Sequence, residues 1–354
     1  MRGAAVRLLR LAGIAGLLGV ATVARADSEA RRWLADMTEA LATQSYAGEF
    51  LHLGNGPVEK LRIMHRVRDG HVSERLVGLG NARREVLRND GDMQVILPDQ
   101  AVIVMEEAPS AGSLLGSLPT FDVDVEDHYQ VEFSGLARVI GRSARVVTVE
   151  SKDAYRFGYR LWLDETTRIP LRTDLIDSKG RVLEQVVFTT LDIGAAIPDS
   201  AFRTSIDTSR FSVVREHAHD GETGHDDEWT LSHLPPGYRI RSRSIERLPG
   251  TGAPATHLLI TDGLASVSVF IEEPPAPPRQ GVEGEGRFGS AYAYSRIVAG
   301  HQVTAVGEVP AVTVAFLAGA VVPAGRQRVE LGPNAPIPPL VPSRGSRPRL
   351  PPRP

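Results

Sequence analysis

The chain has 354 residues, of which 42% are hydrophobic and 23% are charged. This ordinary globular composition excludes wholesale disorder and a multi-span membrane protein, and the length is that of about two domains. The formal net charge of −3 disfavours nucleic-acid binding, which requires a basic surface. Cysteine is absent, which excludes disulfides, thiol chemistry and zinc sites built on cysteine.

The first 26 residues have the features of a secretory signal peptide. Three arginines accompany an apolar stretch that runs from Leu11 to Val23, and Ala24-Arg25-Ala26 follows as a small-x-small cleavage site. The alternative is a membrane anchor, but the apolar stretch is shorter than the roughly 20 residues that a spanning helix needs. The sequence therefore predicts a signal peptide over residues 1–26 and an exported protein.

One amphipathic helix is predicted directly after this segment. Asp27 and Ser28 can cap its first turn, and four apolar residues that follow share one face at helical spacing. The four residues on that face are Trp33, Leu34, Met37 and Leu41. We expect this face to be buried.

Alternation of apolar and polar residues predicts strands over most of the remaining chain. It is clearest in residues 60–67 and 155–163. A period of two places one face in the core and the other in water, which is typical of antiparallel sheets. A meander of this length closes into a barrel or splits into a sandwich. The alternating residues are Leu61, Ile63 and Val67 in the first stretch and Tyr155, Phe157, Tyr159, Leu161 and Leu163 in the second.

Changes in composition predict a division of the chain after the signal peptide. Residues 27–204 form the first, strand-rich domain, and residues 205–228 are polar without an apolar period, which indicates an interdomain linker. A smaller β-rich domain is predicted over residues 229–322. The Pro/Arg-rich tail over residues 323–354 is expected to be disordered, because it cannot bury a core.

Motifs that carry chemistry are weak in this sequence. Residues 284–289 match G-x-G-x-x-G, but a strand-like stretch follows them, so we interpret them as a loop and not a dinucleotide site. His217, His219 and His225 lie in the polar linker at a spacing that fits no structural zinc pattern. Signatures of the common hydrolase and nucleotide-binding families are absent from the sequence. We predict a protein that is not an enzyme, with no catalytic residues, cofactor or metal, while a dispersed catalytic set stays an open alternative.

Five short stretches, in a fixed order along both predicted domains, carry a resemblance to a known family. Residues 46–50 read YAGEF and residues 155–159 read YRFGY. In the second domain, residues 229–238 read WTLSHLPPGY, residues 262–272 read DGLASVSVFIE, and residues 303–310 read VTAVGEVP. These stretches are similar to motifs of the MucB/RseB family of periplasmic sigma-factor regulators. The resemblance leaves out the Pro/Arg-rich tail.

The resemblance implies a mainly β fold with a few helices, of the α+β class. Its N-terminal domain would be an unclosed antiparallel β-barrel with helices over its mouth, like the LolA/LolB lipoprotein carriers, and a smaller C-terminal β-rich domain would bind the partner. It also implies a periplasmic negative regulator of an envelope-stress pathway. Such a protein binds the periplasmic region of a membrane-spanning anti-sigma factor and protects it from proteolysis. It releases the anti-sigma factor when it senses lipid or mislocalised lipoprotein.

An open barrel lined by apolar strand residues offers a cavity for acyl chains of lipoprotein or lipopolysaccharide. We expect Leu61, Ile63, Phe157, Tyr159 and Leu161 to line it, although a plain core position is the commoner role of such residues. The linker is expected to let the domains rearrange when lipid binds. A lipid or lipoprotein carrier without a regulatory partner is the alternative function, and an exported hydrolase is the third. We expect neither nucleic-acid binding nor membrane insertion, and homo-oligomerisation stays open.

Overall fold

The protein is mainly β. The computed structural model describes residues 14–80, 84–107, 127–215, 228–248, 253–272 and 283–324. These residues form two α-helices and twenty strands in three sheets, which confirms the predicted fold class. No helix in this described part of the chain is both long enough and apolar enough to cross a membrane.

The larger sheet has twelve strands and is open. Its strands run in the order β12-β6-β5-β4-β3-β2-β1-β11-β10-β9-β8-β7, and β12 and β7 form its two edges. All neighbours are antiparallel except β12 and β6, which are parallel. The strands are β1 (Tyr46–Leu53), β2 (Glu59–Arg68), β3 (His71–Gly78), β4 (Glu85–Asn89), β5 (Asp92–Leu97), β6 (Val102–Glu107), β7 (Tyr129–Val139), β8 (Arg142–Ser151), β9 (Gly158–Asp164), β10 (Pro170–Ile176), β11 (Val182–Ile193) and β12 (Ser212–Arg215). This sheet and the first helix are called the N-terminal module.

The first helix, α1 (Ile14–Thr43), packs against β7. The four apolar residues predicted to share one face are all buried, and they join one face of the sheet in a single core. The predicted start at Asp27 is wrong, because the preceding apolar residues contain no proline and continue the helix. Trp33 meets the Phe133 ring of β7 edge-on at 5.7 Å, which fixes the helix on the sheet.

The second sheet has six antiparallel strands in the order β14-β15-β16-β19-β18-β17. A second helix packs against β18 and β19, and two short strands pair beside it as a third sheet. These elements are β13 (Trp229–Leu231), β14 (Arg239–Arg247), β15 (Pro254–Thr261), β16 (Ser266–Glu272), β17 (Gly284–Phe288), β18 (Ala291–Val298), β19 (His301–Gly307), α2 (Ala311–Ala320) and β20 (Val321–Pro323). They are called the C-terminal module.

Helix α2 was not predicted from the sequence. Its ten residues, AVTVAFLAGA, are apolar on nearly every side, so the pattern has no period of 3.6 residues. Val314, Leu317 and Ala318 are fully buried against the sheet. The buried residues lie mainly on one face, but the opposite face is apolar too, so burial and not periodicity identifies the helix.

Two sequence interpretations change in the structure. The G-x-G-x-x-G stretch is strand β17 followed by a turn at Gly289, and not a loop, and strand β18 comes directly after it. Within the predicted linker, residues 212–215 form β12 and extend the edge of the larger sheet. The three histidines at positions 217, 219 and 225 lie outside the described residues.

We expect Leu161→Ala to lower the free energy of unfolding by about 2–5 kcal/mol, because Leu161 has no exposed surface and its loss leaves a cavity. The matched control is Leu136→Ala on β7, where the side chain is 73% exposed, and its effect should stay within about 0.5 kcal/mol. Urea unfolding of the full chain measures both. Equal losses at the two positions would contradict the assignment of Leu161 to the core.

Candidate functional site

A buried arginine joins the two modules. Arg156 lies in the loop between β8 and β9, and its Nη1 atom is 2.9 Å from Oδ2 of Asp262, in the turn between β15 and β16. Neither side chain has exposed surface, and the contact is an ion pair without the alignment of a hydrogen bond. Nη2 donates to the carbonyl oxygen of Pro236, and Nε donates to Oδ1 of Asp153 at 3.2 Å. The guanidinium therefore holds acceptors from both modules.

Both oxygens of the Asp262 carboxylate accept hydrogen bonds. Its Oδ1 atom accepts from the backbone N–H groups of Leu264 at 2.9 Å and Ala265 at 2.7 Å, which closes its own turn. Its Oδ2 atom accepts from the Tyr129 hydroxyl at 3.0 Å, across the junction. Removing one partner of a buried ion pair costs about 3–5 kcal/mol, because the other charge is left uncompensated. The pair therefore makes separation of the modules unfavourable.

Two tyrosine rings, one from each module, enclose the guanidinium. The ring centroids of Tyr129 and Tyr238 lie 5.5 and 4.9 Å from its central carbon, within the range of cation–π attraction. Burial raises the pKa of both phenols, and the Asp262 carboxylate raises the pKa further. Both hydroxyls therefore stay protonated and donate, Tyr129 to Asp262 and Tyr238 to the carbonyl of Tyr155 at 3.1 Å.

A glycine lets the modules come this close. Gly237 has φ +78°, and a Cβ atom built there would lie 2.2 Å from the imidazole of His128 in the other module. A side chain at this position would displace that ring and strain the backbone. The glycine of the LPPG stretch is therefore explained by the junction.

A cavity of about 510 Å³ lies between the modules. On the N-terminal side, buried Phe50, Leu61 and Val186 give it an apolar floor. On the C-terminal side, the end of β17 and the turn that follows it line the cavity, and Phe288, the last residue of β17, is 72% exposed. The cavity therefore has an apolar floor and a solvent-exposed phenylalanine at its edge.

The polar wall of this cavity is a chain of four side chains. Nε2 of His52 lies 2.8 Å from Oε1 of Glu184, and the other oxygen of Glu184 accepts from the Ser290 hydroxyl of the C-terminal module. Oγ of Ser290 also lies 2.6 Å from Oε1 of Glu308. Ser290 and Glu184 are buried, whereas Glu308 is exposed. No group of His, Asp and Glu side chains in the described residues is arranged to hold a metal ion.

The ionisable groups along this wall shift one another's pKa values. The hydrogen bond to Glu184 raises the pKa of His52, with a further contribution from Glu59 and against the effect of burial. Burial opposes ionisation of Glu184, yet hydrogen bonds with His52 and Ser290 hold its pKa below the usual range. Although the Glu308 residue is exposed overall, desolvation around its carboxyl group raises its pKa, and the Glu184 charge adds to this, against the hydrogen bond with Ser290 and the His52 charge.

The five residues predicted to line a ligand cavity are all buried in the core of the N-terminal module. Leu61 lies on the floor of the junction cavity, and Tyr159 borders a void of about 10 Å³ behind its polar wall. Ile63, Phe157 and Leu161 line neither of these two spaces and pack in the core. A role in ligand binding stays a prediction for all five.

The polar junction residues were not predicted as site residues. Arg156, Asp262 and Glu308 lie inside the YRFGY, DGLASVSVFIE and VTAVGEVP stretches, where each is a charge within an otherwise largely apolar segment. A charged residue inside an apolar motif was the only feature of the sequence that could have indicated these site residues. His52 and Glu184 gave no signal, because a polar residue on an alternating strand is expected to face water.

Family comparisons cover both modules. Residues 29–206 match the model of the MucB/RseB N-terminal domain, and residues 223–322 match that of the MucB/RseB C-terminal domain. The sigma factor AlgU regulatory protein MucB of Pseudomonas aeruginosa is 35% identical over 315 residues, which cover 85% of this chain and 94% of that protein. The sigma-E factor regulatory protein RseB of Salmonella typhimurium is 27% identical over 313 residues, which cover 87% of this chain and 95% of that protein.

Solved structures give the same result. The complex of Pseudomonas aeruginosa MucA and MucB has a chain with a TM-score of 0.66 and 32% identity, covering 83% of this chain and 99% of that one. A crystal structure of MucB in complex with MucA(peri) has a TM-score of 0.65 and 31% identity, covering 83% of this chain and 98% of that one. The similarity therefore includes the sequence stretches that meet at the junction.

We expect Arg156→Met to lower the free energy of unfolding by about 3–5 kcal/mol, because it leaves Asp262 buried without its counter-charge. Arg181→Met is the matched control, since Arg181 pairs with Asp177 at 2.7 Å but is 74% exposed. Its effect should be below about 1 kcal/mol. Urea unfolding followed by tryptophan fluorescence measures both, and a loss at Arg156 no larger than that at Arg181 would refute the energetic role of the buried pair.

Proposed function

The chain belongs to the MucB/RseB family, and from this premise we propose that it is a periplasmic negative regulator of an envelope-stress sigma-factor pathway. It binds the periplasmic region of a membrane-spanning anti-sigma factor and protects that region from proteolysis. Sensing of lipid or mislocalised lipoprotein releases the anti-sigma factor, whose proteolysis then frees the sigma factor. The chain acts by binding and not as an enzyme.

The observation that carries this proposal is that both modules match a protein solved with such a partner. MucB is 35% identical to this chain, and its structure with MucA(peri) covers 83% of the chain. A partner surface that draws on both modules requires them to be held together. The buried contacts of Arg156 with Asp262 and Pro236 supply that constraint here.

The junction cavity supports the lipid-sensing part of the proposal. Its volume of about 510 Å³ lies within the range of about 300–1,000 Å³ that is typical of ligand sites, and its floor is apolar. Each buried CH₂ group contributes about 0.8 kcal/mol, so about ten carbons supply roughly 8 kcal/mol before ordering costs. That exceeds the cost of breaking one buried ion pair. An acyl chain that prefers separated modules therefore has enough energy to shift their arrangement.

A lipid or lipoprotein carrier without a regulatory partner is the second candidate function. The same cavity supports it, since an apolar space at a junction holds cargo whether or not a partner is present. The two candidates differ in what the exported chain captures. A carrier retains lipid through purification, whereas the regulator also binds the anti-sigma segment.

For the regulator, we expect the full exported chain to bind the periplasmic segment of the anti-sigma factor encoded beside it with a Kd of about 1 μM or tighter. Titration calorimetry measures this affinity. The bound segment should also be cleaved more slowly by the membrane-anchored protease that processes it. A folded chain that gives no binding and no protection, while mass spectrometry finds lipid bound to it, would favour the carrier.

For lipid sensing, we expect a long-chain lysophospholipid to weaken binding of the anti-sigma segment at least tenfold. Leu76→Trp fills the cavity from a half-buried position on β3 and should remove this lipid effect. Leu136→Trp is the matched control, because the same substitution lies at an exposed position on β7 and should leave the lipid effect intact. Loss of the effect in both variants, or in neither, would argue against lipid entry at the junction.

A further inference from the structure

One serine hydroxyl at the junction contacts two carboxyl groups. Ser290 Oγ lies within hydrogen-bond distance of Glu184 in the N-terminal module and 2.6 Å from Oε1 of Glu308 in its own module. A hydroxyl group has one proton and donates it to one acceptor. If both carboxyl groups were ionised, the second short contact would join two oxygens with no hydrogen between them.

The surrounding groups decide where the extra proton sits. His52 lies 2.8 Å from Glu184 and stabilises its ionised form, so Ser290 donates to Glu184. The His52 charge favours the ionised form of Glu308 from a distance, but no cationic side chain of the described residues pairs with Glu308 directly. The extra proton therefore belongs on the Glu308 carboxyl, which shares it with Oγ of Ser290 across the 2.6 Å contact. The hydrogen bonds then run in one direction, from Glu308 through Ser290 to the Glu184–His52 pair.

The other ionisable groups near this chain of hydrogen bonds, among the described residues, have contacts of their own. On β2, Glu59 lies 3.5 Å from Nδ1 of His52 and 3.1 Å from Arg84, which lies beside β4. On β9, burial raises the pKa of Tyr159, so its phenol stays neutral beside Glu184 and Glu308. In the C-terminal module, Arg287 donates to the Gly289 carbonyl at 3.1 Å and lies over the ring of Tyr292.

We propose that closing the junction binds one proton at the Glu308 carboxyl, so that acidification holds the two modules together and a rise in pH loosens them. The device requires neither the anti-sigma factor nor a lipid, and it goes beyond the function proposed above. It lies on a wall of the junction cavity, so the proton and an acyl chain would act on the same contact between modules.

The sign of the effect follows from which groups change on closing. Desolvation and the Glu184 charge of the other module raise the pKa of Glu308 in the closed state, against the opposing effects of the Ser290 hydrogen bond and the His52 charge. A raised pKa contributes stability that is present at low pH and is lost as pH rises through the closed-state value. The pKa of Glu184 is lowered, so its contribution disappears only as pH falls through that lower value. His52 faces Glu59 and Glu184 of its own module, and it keeps these partners when the junction opens.

The distance between the modules tests this directly. The chain has no cysteine, so Ser178→Cys and Glu285→Cys provide two exposed labelling sites, one in each module. Pulsed electron resonance between nitroxide labels should show the separated fraction growing from about pH 4 to about pH 8. Because one proton is bound, the ratio of separated to closed molecules changes by at most about tenfold per pH unit. Glu308→Gln carries an uncharged N–H donor in place of the carboxyl proton, and it should stay closed at every pH.

The matched control is Glu272→Gln on β16, because burial also raises the pKa of Glu272 but this residue does not line the junction cavity. It should keep the wild-type pH dependence. A flat wild-type profile, or a Glu308→Gln profile that keeps the wild-type slope, overturns the proposal. Should Glu308→Gln fail to fold, carbon-13 NMR of the wild-type carboxyl decides: titration of Glu308 above its ordinary range supports the proposal, and titration at or below that range overturns it.

Discussion

A guanidinium and a carboxylate that meet without any exposed surface set the main constraint on this molecule. A buried charge is tolerated only when counter-charge and hydrogen bonds surround it, and each module here supplies what the other requires. Arg156 brings the positive charge, and Asp262 brings the negative charge at a turn that it also closes. This buried pair is therefore a main determinant of the relative position of the two sheets, together with the hydrogen bonds that Tyr129, Tyr238 and Ser290 make across the junction.

The buried ion pair limits how freely the two modules can move at their junction. A polar linker favours free rearrangement, whereas the structure places residues 212–215 in the larger sheet and buries an ion pair across the junction. Rearrangement of the modules then has an energetic threshold, which is compatible with the regulatory function proposed above. In addition to this ion pair, Ser290 joins the modules through Glu184, and the proton proposed at Glu308 would make that second contact sensitive to pH.

The sequence predicted what depends on local pattern and missed what depends on pairing in space. The alternation around Leu61 and Tyr159 identified strands whose apolar faces are buried, and the apolar face of α1 is in the core as expected. Helix α2 has no periodicity to detect, since its less buried face is as apolar as its buried one. The YRFGY and DGLA stretches were recognised as family motifs, but one sequence cannot show that Arg156 and Asp262 lie opposite each other. The sequence therefore identified the family motifs but predicted neither the junction site nor its contacts.

The most direct test of the central claim is a double-mutant cycle on the buried pair, with Arg156→Met, Asp262→Asn and the two changes combined. The free energy of unfolding of all four chains gives the coupling energy. The account predicts a coupling of at least about 2 kcal/mol, with the double variant more stable than the sum of the single losses implies. Losses that add to within about 0.5 kcal/mol would show that the two charges act independently and that the junction is held by something else.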